Sequence, residues 1–266
     1  MTLTMQKITF WFFGAIAAIP LPILHRIGNF LGSIGYCFLP KKLRDTISGN
    51  VESAGIISDK LARHTLIKAV CQESIKGGFE LPVAWMRSSE DIVDLFKAVH
   101  GWEHVQTALE KNEGLLLITP HIGSYDLAGR YISHHLPFPL TAMYRPPKQK
   151  WLDEVMNAGR VRDKGRTAPT NLQGVKQVMK ALRAAEATIV LPDQVPHGAD
   201  GIWVNFFGRP AYTMTLAGKL ANMKNVSTLF FCGERLPNGQ GFALHIEPMQ
   251  GELTGNTVQD TQLIND

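Results

Sequence analysis

The chain is poor in the residues that would commit it to several common chemistries. Cysteine occurs three times in 266 residues, as Cys37, Cys71 and Cys232. The number is odd and no metal-ligand spacing is shared, which fits structural thiols in a reducing compartment. There is no G-x-S-x-G elbow to present a serine nucleophile, no H-E-x-x-H, no P-loop and no dinucleotide fingerprint, and "NGQGF" is only a turn. An excess of one charge is lacking too: 27 basic against 23 acidic residues leave a formal net charge of +4. That is enough for a basic patch toward phosphates or acidic partners. It makes no case for nucleic acid, because no RNP-like, zinc-finger or basic-region pattern accompanies it. Internal repeats and low-complexity tracts are absent as well. With 45% hydrophobic residues, the chain can bury one sizeable core.

The N-terminus lacks charge altogether from Ile8 to Leu24 ("ITFWFFGAIAAIPLPIL"), and a second apolar run, "IGNFLGSIGYCFLP", follows His25 and Arg26. As a spanning helix this stretch sits at the short end of the roughly 17 to 25 residues required, and Pro20 and Pro22 interrupt it. It reads as a monotopic or re-entrant membrane anchor, with an ordinary buried helix as the alternative. Arg26, Lys41, Lys42 and Arg44 are placed to meet anionic headgroups. The only small-residue triplet, Ala15-Ile16-Ala17, lies inside the apolar run, which argues against a cleaved signal peptide. Residues 1–45 therefore form an apolar membrane-associating segment. Residues 46–266 form a single α/β domain, with a helical part at 46–113 and a sheet-containing core at 114–250.

From Ser58 to about Glu113 the apolar spacing is helical: Leu61, Leu66, Ile67, Val70 and Ile75 recur near the 3.6 period, and Gly114 stops the pattern. "FELPVAW", at 79–85, offers an aromatic-rich face for the core or for the N-terminal segment. Beyond Gly114, short apolar runs alternate with helical patterns. The runs are "LLLITP", "LTAMYRP", "ATIVLPDQ", "VSTLFFCGERLP" and "FALHIEP". The long connections between the first three predict parallel strands. The last two, joined across "NGQG", predict an antiparallel hairpin.

If the first three strands are parallel, their carboxyl ends share one edge of the sheet, where open α/β sheets bind ligands. Those ends read "TPH", "MYR" and "LPD", so His121, Arg145 and Asp193 converge on one crevice. In "HIGSYD", Gly123 permits a sharp turn, Ser124 is a good N-cap, and Asp126 falls in the first helical turn. With His121 placed before the helix, the chain can fold back and pair it with Asp126. A histidine held by a carboxylate is half of a nucleophile-activation device, the acid fixing the tautomer while the other nitrogen takes a proton. No enzyme nucleophile completes it, so a substrate hydroxyl is the natural partner and direct acyl transfer to an alcohol the natural reaction. On spacing alone the alternative stays open: a helix-capping Asp beside an unrelated His.

"TPHIGSYDLAG", "MYRPPKQKWLDEVMNAGRVRDKG", "LPDQVPHGADGIWVNFFGRPAYTMT" and "TQLIND" together resemble the bacterial lipid A biosynthesis acyltransferases of the lauroyl/myristoyl type, relatives of the wider H-x4-D/E glycerolipid acyltransferase superfamily. The resemblance runs through nearly the whole chain, and its specificity lies in the ordered set. It implies a glycerolipid-acyltransferase-like α/β fold: a mixed, mostly parallel central sheet flanked by helices, with an apolar N-terminal helical anchor. It also implies an enzyme at the cytoplasmic face of the bacterial inner membrane. Such an enzyme moves a fatty acyl group from an acyl carrier protein thioester to a hydroxyl of a lipid A precursor, with no metal or organic cofactor.

Carried onto this sequence, the family's catalytic pair is His121 as general base and Asp126 as its orienting acid. Arg145 of "YRP" binds phosphate or stabilises an oxyanion, Arg162 is a second basic candidate, and Asp193 with Gln194 orients the acceptor or a basic side chain. Phe206 and Phe207 of the "FFG" loop supply apolar surface for an acyl chain. Two departures stand out. Asp126 occupies a position where many members acting on lipid A have Glu, and the chain ends at Asp266 where the family continues through a further helix and an aromatic, basic tail, which reads as C-terminal truncation. The rival readings are transfer to another membrane lipid (a lysophospholipid, an ornithine lipid or a mannosylated glycolipid) and a catalytically silent lipid-binding homologue. The "EGTR"-like element common in glycerolipid enzymes is absent.

Overall fold

The computed structural model describes residues 3–55, 59–196, 198 and 200–266. Ser58, where the helical spacing was taken to begin, lies outside them, as does His197, which the sequence leaves without a partner pattern. Four helices come first: α1 (Leu3–Ala18), α2 (Leu21–Cys37), α3 (Lys41–Ser53) and the long α4 (Lys60–Met86), with a short α5 (Ser89–Val93) after them. Then follow β1 (Phe96–His100), α6 (Trp102–Glu110), β2 (Gly114–Ile118), α7 (Tyr125–His135), β3 (Leu140–Tyr144), α8 (Lys150–Arg160), β4 (Gly165–Pro169), α9 (Leu172–Arg183) and β5 (Ala187–Val190). The chain ends with β6 (Gly201–Phe206), β7 (Arg209–Met214), α10 (Leu216–Ala221), β8 (Val226–Arg235), β9 (Phe242–Pro248) and α11 (Thr257–Asn265).

Seven strands form one sheet in the order β1-β9-β8-β2-β5-β3-β4. From β8 to β4 every neighbour is parallel, and β9 with its parallel partner β1 runs the other way. The fold is thus α/β with a mixed, mostly parallel sheet, and the pairing expected for the three middle runs and the terminal hairpin holds. All five residues of β2 are buried, as a strand covered on both faces requires. Alternation sends Leu115 and Leu117 into a core beneath α4, α6, α7 and α8, and Leu116 and Ile118 into a second core beneath α9, α10 and α11.

Four strands depart from the sequence reading: β6 and β7 pair antiparallel in a small sheet of their own where only the "FFG" loop is expected, and β1 and β4 join the main sheet at its two edges. β1 falls inside the segment with helical spacing, and β4 lies among the helical patterns between the "LTAMYRP" and "ATIVLPDQ" runs, where no strand is expected. β1 and β4 are edge strands and carry little local signal: "FKAVH" pairs only with β9, and "GRTAP" includes Gly165 and Pro169, residues tolerated in strands mainly at edges and ends. Within the sheet, β5 inserts between β2 and β3 although it follows β4 in sequence, so the three carboxyl ends lie side by side.

The apolar N-terminus folds as two helices bent by 100° at the Ile19-Pro20 break. Among the described residues no single helix is long and apolar enough to cross a membrane; this bent pair meets the test of length and composition together. One face of α2 packs on α4 through Leu21, Leu24, His25, Gly28 and Gly32. A Cβ at Gly32 would lie 2.4 Å from Gln72 Cα, so only glycine allows that approach. Arg87 satisfies the end of α1, donating to the carbonyls of Ala17 (2.7 Å) and Ile19 (2.8 Å). "FELPVAW" does both things proposed for it: Trp85 is buried in the core and stacks on Phe13 of α1. Trp11 and Phe12 of α1, Ile23, Phe30 and Ile34 of α2, and Phe38 just after it are exposed, a concentration of large apolar side chains at the surface of the kind that marks an interaction site.

Candidate active site

The turn after β2 is built as its residues suggest. Gly123 takes φ of +64°, and a Cβ there would lie 2.3 Å from the Gly233 carbonyl. That carbonyl accepts from Ser124 N–H at 2.8 Å, which fastens the turn to β8. Ser124 stands at the N-cap of α7 without a side-chain cap bond, and Asp126 lies in the first turn.

His121 is held twice by one acid, and the acid is Asp193. The ring Nδ1 lies 2.7 Å from Asp193 Oδ1, and the backbone N–H of His121 donates to Oδ2 at 2.8 Å. Strand register explains the meeting. Ile118 of β2 pairs with Val190 of β5, so the residues three further along each strand leave the sheet edge together. A carboxylate facing Nδ1 places the proton on that nitrogen and leaves Nε2 with a lone pair. Gln194 supplies an amide N–H toward Nε2 at 3.3 Å. Burial would push the Asp193 carboxyl up, but the hydrogen bonds from the His121 ring and backbone outweigh it and hold the group below the usual carboxylate range. The pair stays reachable, with side chains 33% and 22% exposed.

The sequence reading gave His121 to Asp126, and here the structure differs. Asp126 pairs with Arg160 of α8 at 3.1 Å. Arg160 in turn lies over the Tyr144 ring, 5.2 Å from its centroid, and the Tyr144 hydroxyl donates to Asp153. This chain of contacts knits α7, β3 and α8 behind the turn. The Tyr125 ring meets His121 edge to face at 5.1 Å, and burial, then the charge of Asp126, push its phenol up to about 12.

The other predicted residues are dispersed. Arg145 follows β3 directly on the same sheet edge and is exposed. Arg162 sits elsewhere, donating to the carbonyls of Met86 (3.1 Å) and Arg87 (2.9 Å), where it caps the end of α4. Phe206 and Phe207 form the tip of the β6–β7 hairpin, edge to face with centroids 4.7 Å apart and 39% and 61% exposed. A groove of about 790 Å³ lies between that hairpin, from its middle toward its tip, and α11, lined by Trp203, Asn205, Pro210, Val258, Gln262 and Leu263. Neither His121 nor the Phe206–Phe207 tip lines it.

In the sequence Arg160 belongs with Arg162, Lys164 and Arg166 to a basic face, solvated or suited to an acidic carrier protein or lipid phosphates, and nothing there points to Asp126; Arg235, in "GERLP", carries no motif. Arg235 donates to the Gly123 carbonyl at 2.9 Å from beneath the turn.

A helix-flanked, mostly parallel sheet with an imidazole and carboxylate joined at its C-terminal edge is the frame of an α/β enzyme. Comparison with known proteins gives the kind: residues 3–266 match the bacterial lipid A biosynthesis acyltransferase family, and the chain belongs to it and is an acyltransferase. It is 26% identical over 248 residues to the lipid A biosynthesis palmitoleoyltransferase of Escherichia coli, covering 92% of this chain and 77% of that protein. A lipid A biosynthesis acyltransferase of Shigella flexneri matches with the same figures. Another, from Haemophilus influenzae, is 28% identical over 123 residues, 46% of this chain and 38% of the relative.

Proposed function

We propose that this chain transfers a fatty acyl group from an acyl carrier protein thioester to a hydroxyl of a lipid A precursor, with His121 as general base and Asp193 as the acid that orients it. The observation that carries the reading is the two-point hold of Asp193 on His121 at 2.7 and 2.8 Å. Gln194 moves aside when the acceptor enters, and Nε2 takes the proton of the acceptor hydroxyl. The oxygen attacks the thioester carbonyl, and the tetrahedral oxyanion forms beside Arg145 and the first-turn amides of α7, which no side chain caps. Collapse expels the carrier's thiolate, which receives the proton from the His121 imidazolium. Asp126, paired with Arg160, supports the turn from behind.

The exposed apolar side of α1 and α2 suits the cytoplasmic face of the bacterial inner membrane, with the bent pair lying in the interface.

The test is acyl transfer from a mixture of carrier thioesters into total bacterial lipid extract, read by mass spectrometry. A new acylated lipid A precursor is expected, abolished by His121→Ala. An acylated phospholipid in its place would reassign the acceptor. Thioester loss to water at the same rate without acceptor would refute transfer.

A further inference from the structure

A buried charged cluster underlies the His121 turn and reaches the apolar N-terminal helices. Arg235 meets Glu80 through two parallel bonds, Nε to Oε1 at 2.6 Å and Nη2 to Oε2 at 2.8 Å, and Nη1 reaches Glu73 at 3.3 Å. The same Nη2 donates to the Gly123 carbonyl. Glu80 is 3% exposed and is also bonded by His25 Nε2 at 2.8 Å, and His25, likewise 3% exposed, belongs to the inner face of α2. Burial pushes the Glu80 carboxyl up; the hydrogen bonds and charges of His25 and Arg235 outweigh it and hold the group below the usual carboxylate range. Gly77 on α4 leaves room for the guanidinium, since a Cβ there would stand 3.1 Å from Nη2.

Buried ion pairs are a poor device for stability alone, because desolvation consumes most of their attraction and apolar replacements often do as well. What this one provides that an apolar pair cannot is a fixed donor under Gly123, two residues from His121. Ser124 N–H on the Gly233 carbonyl and Arg235 on the Gly123 carbonyl are two independent ties from one strand to one turn.

We propose that Arg235, clamped by Glu80, is a positioning residue for acyl transfer, and that His25 makes helix α2 part of the same support, so the apolar N-terminus braces the catalytic turn. The inference rests on His121 being the base.

The experiment compares Arg235→Met, the double variant Glu80→Met/Arg235→Met, His25→Leu, His25→Gln and His121→Ala in the full chain, with kcat, KM for each substrate and the unfolding midpoint measured for all. Arg235→Met is expected to lose about 10- to 100-fold in kcat, as small misplacements of a catalytic group do, with both KM values little changed. The double variant removes the lone buried carboxylate and regains the unfolding midpoint but not the rate. His25→Leu lowers kcat, and His25→Gln, which keeps a donor toward Glu80, recovers most of it. If the double variant regains rate together with stability, or if Arg235→Met keeps kcat while His121→Ala is dead, the positioning role is overturned and the base assignment stands. Turnover by His121→Ala would bring down both.

Discussion

Replacing Asp193 with Asn separates the two acids that compete for His121. The carboxylate accepts from both Nδ1 and the backbone N–H of His121. Asn offers one oxygen to those two donors and turns an N–H₂ toward the other. Either the ring loses its anchor or it takes the tautomer with the proton on Nε2, where it cannot act as base. Hydrogen bonds to a charged group contribute about 1.5–3 kcal/mol each. At about 1.4 kcal/mol per tenfold, losing the Nδ1 bond alone predicts a fall of roughly 10- to 150-fold in kcat. A tautomer inversion of the kind known from Ser-His-Asp triads extends the range toward about 10⁴. Asp126→Asn breaks the pair with Arg160, whose own side chain is 22% exposed and can take up water in place of the carboxylate. A loss of less than about tenfold is expected there, through slackening of the turn, because a partly exposed ion pair contributes roughly 1 kcal/mol or less. The assay is steady-state transfer from a single carrier thioester to the acceptor that the lipid-extract experiment identifies, at saturating concentrations of both. If Asp193→Asn stays within about fivefold of wild type while Asp126→Asn falls a hundredfold, the orienting acid is Asp126 and the reasoning from geometry fails.

Two further outcomes follow from the same structure. The folded-state pKa of Asp193 is depressed, so its contribution to stability is full above the unfolded value of about 3.9 and is lost as pH falls from there through the folded value. The difference in unfolding midpoint between wild type and Asp193→Asn is therefore constant from neutral pH to about 5 and shrinks below about 4; a difference that grows in acid would contradict it. Gly32→Ala forces a Cβ to 2.4 Å from Gln72 Cα and is expected to cost about 1–3 kcal/mol by prising α2 from α4, read as a lower thermal midpoint.

Much of the site was legible where local chemistry decides it. The apolar run of Gly114–Ile118, the glycine with positive φ at 123, and the helix that opens at Tyr125 each depend on near neighbours in the chain. Parallel pairing of β2, β3 and β5 followed from connection length, and with it the convergence of His121, Arg145 and Asp193 on one edge. Arg162 went astray because a basic run gives no sign of which side chain turns inward; packing gave Arg160 to Asp126 and Arg162 to the end of α4. The strands at 96–100 and 165–169 were missed because edge strands are defined by a distant neighbour more than by their own composition.

The sequence by itself determined the turn, the strands that feed it, the apolar N-terminal pair and the set of candidate side chains, because each is fixed by interactions between near neighbours in the chain. Which acid holds His121 was settled only by tertiary structure. Asp126 is five residues away yet belongs to a helix that carries it toward Arg160, whereas Asp193 is distant in sequence but one strand away in space. The register of β5 beside β2 brings it there, and register depends on how the whole sheet is ordered.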